Sequence, residues 1–310
     1  MAGKIGRMKS IARGALVVLT LPCAMLSAGL AAERQAAPGR DALQASSTLV
    51  TTAVTVREKN GRIVSNLTER DFVVDEDGRP QKIARFSSER TPLSVAIVLD
   101  ASQSLRGDPI QVTRAVVKRF VDTALRPDDE VALVSFNHTV SVVETWTTDR
   151  AKVRAGLDAL APAGSTAPYD AVFKTMSLFS TRGLQRAAMV VISDGGDSAS
   201  EVTPARIKQL LAGTDVFLYW IATDHPEARP SSRINSYTIA DLAAQANGYS
   251  EVIKATEDLG AALIRVADEL DHQYLMSYEP ATPANGRFHS VRVSVPGRDY
   301  VVRARRGIQR

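Results

Sequence analysis

Asp100, Ser102 and Ser104 place one carboxylate and two hydroxyls at alternate positions, directly after the run Ser94-Val-Ala-Ile-Val-Leu99. Oxygen-only ligands of this kind suit a hard divalent cation such as Mg²⁺, which takes few protein carboxylates and keeps open coordination positions. The apolar run before them reads as a strand buried on both faces, the kind found in a parallel sheet. In an open α/β sheet, ligands bind beyond the carboxyl ends of the strands, which is where this triplet falls. Two further stretches offer oxygen ligands in the same setting. Gly164-Ser165-Thr166 precedes a helix expected over Tyr169–Ser180, and Ser193-Asp194-Gly195-Gly196-Asp197-Ser198 follows the strand-like run Ala188–Ile192. Three loops on one side of a sheet thus supply Asp100, Ser102, Ser104, Thr166 and Asp194. Asp197 is either an outer support behind these ligands or a solvated loop residue.

Other chemistry fits less well. A Mg²⁺-dependent phosphatase of haloacid-dehalogenase type also sets an Asp after its first strand, with later carboxylates (Asp194 and Asp197 here) on the metal. It needs a second carboxylate two residues on as proton shuttle, and Ser102 stands there. The chain has no Gly-x-Ser-x-Gly elbow, no P-loop and no Gly-x-Gly-x-x-Gly. His138, His225, His272 and His289 are scattered without metal-ligand spacing and read as surface or locally hydrogen-bonded residues. Asp170 reads as a favourable charge at a helix N-terminus. Asp128-Asp129-Glu130 reads as a solvated turn, Trp146 and Trp220 as packing residues, and Arg305, Arg306 and Arg310 as a short basic tail.

The elements that position the loops follow from pattern. Residues 1–32 read as a secretory signal peptide: Lys4, Arg7, Lys9 and Arg13, then apolar Ala15–Leu30 interrupted by Pro22, then small residues up to Ala31 and Ala32. The apolar part is short for a membrane span, so membrane contact is expected only through an uncleaved leader. Cleavage leaves 34 of the 38 basic residues against 34 acidic ones. The basic balance therefore belongs to the leader and gives no case for nucleic acid. The sole cysteine, Cys23, also lies there, so the mature chain has no disulfide or thiol nucleophile. An exported, cysteine-free protein of the bacterial envelope, periplasmic or extracellular, is expected.

Residues 33–47 are rich in Ala, Gln and Ser and read as a flexible linker. Over 48–90 the pattern is β, with turn signals at Asn60-Gly61 and Asp77-Gly78. Two or three short strands cannot bury much surface alone. Over 91–271 strand-like and helical runs alternate, which predicts a doubly wound, Rossmann-like parallel sheet. The pair Val131–Phe136 and Val140–Trp146 adds one antiparallel edge strand. Helix signals include Thr203-Pro204, Thr256 before Glu257-Asp258, and the stop Asn247-Gly248. Over 272–310 the β pattern returns. The flanking segments are expected to pair into one small β domain with the α/β domain inserted between them.

Asp100-x-Ser102-x-Ser104, Thr166 and Asp194 resemble the metal-ion-dependent adhesion site of the von Willebrand factor type A (VWFA) domain. The resemblance implies that Ser102 and Ser104 bind the ion directly, that Thr166 does so in the engaged state, and that Asp100 and Asp194 act largely through water. Leu67–Phe72, Glu76–Gln81, Tyr274–Pro280, Arg287-Phe-His289 and Arg303–Gly307 are similar to an acidobacterial-type group of exported "VWFA-related" proteins. The expected function is a non-enzymatic adhesion or protein-binding module of the envelope. Its Mg²⁺ or Mn²⁺ would capture an Asp or Glu carboxylate of a partner protein. The alternatives are the phosphatase above and a structural envelope protein with a vestigial metal site.

Overall fold

The computed structural model describes residues 49–180, 186–194, 196–224 and 235–310, so the expected leader, the whole linker and His225 lie outside the described residues. The N-terminal β segment supplies β1 (Val50–Glu58), β2 (Val73–Glu76), β3 (Arg79–Gln81) and β4 (Ile83–Ser87). The α/β part runs β5 (Ser94–Asp100), α1 (Asp108–Thr123), β6 (Glu130–Phe136), β7 (Val140–Thr147), α2 (Arg150–Asp158) and α3 (Pro168–Ser180). It continues through β8 (Ala187–Ser193), α4 (Pro204–Leu211), β9 (Val216–Thr223), α5 (Ser236–Gln245), β10 (Tyr249–Ile253) and α6 (Leu259–Asp271). The chain then returns to β structure as β11 (Tyr274–Tyr278), β12 (Phe288–Ser294), β13 (Tyr300–Ala304) and β14 (Gly307–Gln309).

Every residue of β5 is buried, as a strand covered by helices on both faces must be. Its side chains alternate between two cores. Val95, Ile97 and Leu99 pack with α1, α2 and α6, while the smaller Ala96 and Val98 face α3, α4 and α5. The sheet order is β10-β9-β8-β5-β6-β7. All neighbours are parallel except β7, which returns antiparallel to β6 at the edge. From β5 the chain moves first to β6 on one side and later to β8 on the other. The loops leaving β5 and β8 therefore diverge, and a crevice opens between them at the strands' carboxyl ends.

The two flanking segments form a second, all-β layer pair. One sheet is ordered β13-β1-β11-β4 and the other β14-β12-β2-β3, so each contains strands from both ends of the chain. Val54, Val56, Phe72, Val74, Tyr274, Met276, Tyr278, Val291 and Val293 fill the space between them. Phe72 meets Tyr274 edge-on, with ring centroids 5.1 Å apart. Ala53 of β1 faces the other way and joins the core under α6. The first sheet is therefore covered on one side by its partner sheet and touches the α/β layer on the other.

Buried charges join the two parts. Glu269, in the last turn of α6, is wholly inaccessible to solvent. It accepts hydrogen bonds from Arg57 Nε at 2.6 Å, Arg303 at 2.7 Å, Tyr219 Oη at 3.1 Å and Thr55 Oγ1 at 3.3 Å. Where the chain enters the α/β part, Arg90 makes a two-pronged pair with Asp129, 2.6 Å on each arm, and reaches Asp271 at 2.6 Å. Asp129 also accepts the backbone N–H groups of Leu93 and Arg126. Arg186 donates to Thr91 O, Gln273 Oε1 and Leu270 O, tying the entering and leaving segments together.

These contacts correct several local expectations. Asp129 is a fully buried anchor, not part of a solvated turn. Arg305 is buried against Asp215, and Arg310 pairs with Glu76, so neither belongs to a free basic tail. Thr256–Asp258 is a single 3₁₀ turn, and α6 starts at Leu259. Trp220 is buried as expected, and Trp146 donates its ring N–H to Leu178 O at 3.2 Å.

Removing Glu269 would leave two arginines without their buried anion. Glu269→Ala is expected to lower stability by about 3–5 kcal/mol in urea unfolding. Lys59→Ala, which breaks the exposed pair with Asp299, should leave the transition unmoved.

Candidate functional site

Between β5 and β8 the structure links Asp100, Ser102, Ser104 and Asp194. Asp100 ends β5 with no exposed surface. Its Oδ1 accepts the backbone N–H of Ser102 at 2.8 Å, a local turn that Asp residues favour. Its Oδ2 accepts the hydroxyl of Ser193, the last residue of β8, at 2.6 Å. The Ser102 and Ser104 hydroxyls lie 3.0 Å apart, and Ser104 Oγ donates to Asp194 Oδ1 at 3.0 Å. Asp100, Ser102, Ser104 and Asp194 are thus linked by hydrogen bonds across two loops. Ser102 and Asp194 are buried whereas Ser104 is exposed, so the crevice opens to solvent on one side.

Thr166 is tied through its backbone to the third loop, beyond Asp197. Its N–H donates to Ser198 Oγ at 3.0 Å, and its carbonyl accepts from Ser198 N at 2.9 Å and Ala199 N at 3.1 Å. Ala163 N donates to Ala101 O at 2.9 Å, and Gln103 N donates to Gly164 O at 3.0 Å, so the first and second loops are stitched together as well. Among the described residues, no hydrogen bond joins the Thr166 hydroxyl to the Asp100–Asp194 chain. Gly164 has φ +73°, and a Cβ there would lie 2.3 Å from His138 Nδ1. Glycine is required at this position both for the backbone conformation and for the imidazole lying against it.

Asp197 is exposed, and its Oδ1 accepts the N–H of Ser200 at 2.9 Å. It shapes the third loop without touching Asp100 or the two serines. Asp170 has a larger part than a charge at a helix start, since it accepts the N–H groups of Glu201 and Val202 and pins the far end of that loop. Ser193 was not expected as a participant. Its position directly before Asp194, at the end of a buried strand, is the only sequence signal that could have found it.

The electrostatics are unbalanced. Burial, and then the nearby Asp194 carboxylate, raise the Asp100 pKa from its ordinary 3.8 to about 6, against the lowering effect of hydrogen bonds from Ser193 and Ser102. Two carboxylates and several neutral hydroxyls form a donor set of hard oxygens, the chemistry a small dication requires.

Residues 95–196 match the family profile of the von Willebrand factor type A domain. The chain carries a von Willebrand factor type A domain. The match begins in β5 and ends just after Asp194, so it takes in Asp100, Ser102, Ser104, Thr166 and Asp194 and stops before Asp197. A UPF0353 protein of Mycobacterium ulcerans is 32% identical over 118 residues, covering 36% of this chain and 32% of the relative. A UPF0353 protein of Mycolicibacterium vanbaalenii is 30% identical over 126 residues, 39% of this chain and 34% of the relative. The chain thus spans about a third of the length of the curated relatives it matches. Among solved structures, a von Willebrand factor type A protein from Catenulispora acidiphila superposes with TM-score 0.51 at 12% identity, over 84% of this chain and 72% of that one. Proximal thread matrix protein 1 from the mussel byssus, solved with zinc in its MIDAS motif, gives TM-score 0.51 at 17% identity, over 62% and 48%. At such identities these structures establish the fold of the A domain.

A pH test isolates the strain on Asp100. The folded state keeps its proton up to about pH 6 and the unfolded state only to 3.8. The metal-free protein therefore loses stability as pH rises through that window, by roughly 3 kcal/mol. Measured in chelator by urea unfolding, wild type should lose that amount relative to Asp100→Asn between about pH 4 and about pH 7. Parallel pH profiles for the two proteins would contradict it.

Proposed function

We propose that the A domain is a metal-dependent protein-binding module that captures an acidic group of a partner. Asp100, Ser102, Ser104, Thr166 and Asp194 would hold a divalent ion, Mg²⁺ or Mn²⁺. The observation that carries this reading is the linkage of Asp100, Ser102, Ser104 and Asp194 where the loops of β5 and β8 diverge. A neighbouring carboxylate raises the Asp100 pKa, so a bound dication would relieve a repulsion built into the fold. When bound beside only two carboxylates, the ion keeps net positive charge and serves as a Lewis-acidic acceptor for a carboxylate from outside. The serine and threonine hydroxyls are neutral ligands, which preserves that charge.

The protein's own residues do the rest. Ser193 and the Ser102 amide hold the Asp100 carboxylate in one orientation. The backbone bonds among the loops carrying Ala101, Gly164, Thr166 and Ser198 hold the three loops at one spacing. Ser102, bonded to Ser104, occupies the place where a phosphatase of this layout would need its second carboxylate, which favours binding over catalysis. The leader-like first 32 residues support export to the periplasm or beyond. Among the described residues, no helix is long and apolar enough to cross a membrane.

Calorimetric titration with Mg²⁺ should give a binding heat for wild type that Asp100→Ala loses while its circular dichroism is unchanged; equal heats would refute the site. Capture of a partner from envelope extract should fail both in chelator and with Asp100→Ala. Capture that survives both would remove the ion from the interaction.

A further inference from the structure

A second cluster of ligand-bearing side chains lies in the β sandwich, on the turn between β2 and β3 and on the facing strand β12. Glu76 ends β2, Asp77 begins the turn with φ +50°, and His289 is buried on β12. Strand register opposes Glu76 to Val291, which brings His289 alongside the turn. His289 Nδ1 lies 2.7 Å from Asp77 Oδ2 and 3.8 Å from Glu76 Oε1, and one ligand atom from each residue falls within 4.8 Å of the others.

The remaining polar atom of each ligand is already held by another group. Glu76 Oε2 accepts the Tyr278 hydroxyl at 2.7 Å. Asp77 Oδ1 accepts the N–H of Ser290 at 2.8 Å and its hydroxyl at 3.1 Å. His289 Nε2 is 3.1 Å from Asn285 Oδ1, which also accepts the Arg287 N–H at 2.9 Å. That second bond identifies the Asn285 atom as the acceptor, so Nε2 must carry the proton. An imidazole whose outer nitrogen donates to an amide oxygen presents its inner nitrogen to a metal in a fixed orientation.

We propose that Glu76, Asp77 and His289 form a second divalent-cation site, selective for a first-row transition ion of the Zn²⁺ class. One imidazole nitrogen with two carboxylate oxygens is a donor set that zinc accepts and Mg²⁺ does not favour. The opposing group is Arg310, whose guanidinium contacts Glu76 Oε1 and Thr282. It is a built-in competitor for the Glu76 charge. The rival arrangement puts a proton on His289 Nδ1, donated to Asp77, with Arg310 balancing Glu76 and no metal bound. The site does not depend on the reading of the A-domain crevice.

The test uses the full chain as Asp100→Asn, which disables the crevice, titrated with Zn²⁺ against a chromophoric chelator. One Zn²⁺ should remain bound, and adding His289→Gln should weaken it by at least about tenfold. Arg310→Gln should bind Zn²⁺ at least as tightly, since the competing cation is gone. A variant-independent check replaces Zn²⁺ with Co²⁺ and follows the His289 ring N–H by NMR, where a paramagnetic shift is expected. Zn²⁺ affinity unchanged by His289→Gln, binding lost in Arg310→Gln, or an unshifted ring proton would each overturn the proposal in favour of the proton-bridged pair.

Discussion

Two carboxylates, Asp100 and Asp194, are held together beside the hydroxyls of Ser102, Ser104 and Ser193 where the loops of β5 and β8 diverge. That convergence is costly in the metal-free protein, as the raised Asp100 pKa records. It is also unavoidable given the topology. Asp100 ends β5, and Asp194 follows the end of β8. These are the adjacent parallel strands between which the chain reverses its direction of winding. The burial of β5 on both faces fixes where the carboxylate emerges, and the backbone bonds between loops fix what faces it.

The sandwich sits at the other end of the same strands. Ser94 and Asp100 bound β5, so site and joint are separated by about 20 Å of extended chain. Arg90, Arg186 and Glu269 form that joint: Arg90, closing the N-terminal β segment, binds Asp129 and Asp271 of the α/β part, and Arg186 and Glu269 each use partners from both parts. Buried ion pairs of this type add little net stability but penalise wrong arrangements heavily. Their place here is at the two crossings of the chain between layers.

Much of this was legible in the sequence because it is local. The apolar run of β5 and its Asp-x-Ser-x-Ser end occupy consecutive residues, and the β–α alternation follows from hydrophobic period alone. The pairing of the flanking segments was legible from a size argument, since neither could bury a core by itself. What escaped was charge whose partner is distant in sequence. Asp129 finds Arg90 39 residues away, Arg305 finds Asp215 90 residues away, and Arg310 finds Glu76 234 residues away. Each looked like a solvated charge because no short-range pattern marks it otherwise. Ser193 was overlooked for a related reason: a serine ending a strand has many uses, and only the folded register sets its hydroxyl on Asp100.

The most direct measurement is a crystal of the wild-type protein soaked in Mn²⁺ and examined by anomalous diffraction. The account predicts one peak within coordinating reach of the Ser102 and Ser104 hydroxyls and beside Asp100 and Asp194. A crystal that diffracts well with the crevice accessible and shows no peak there would contradict it.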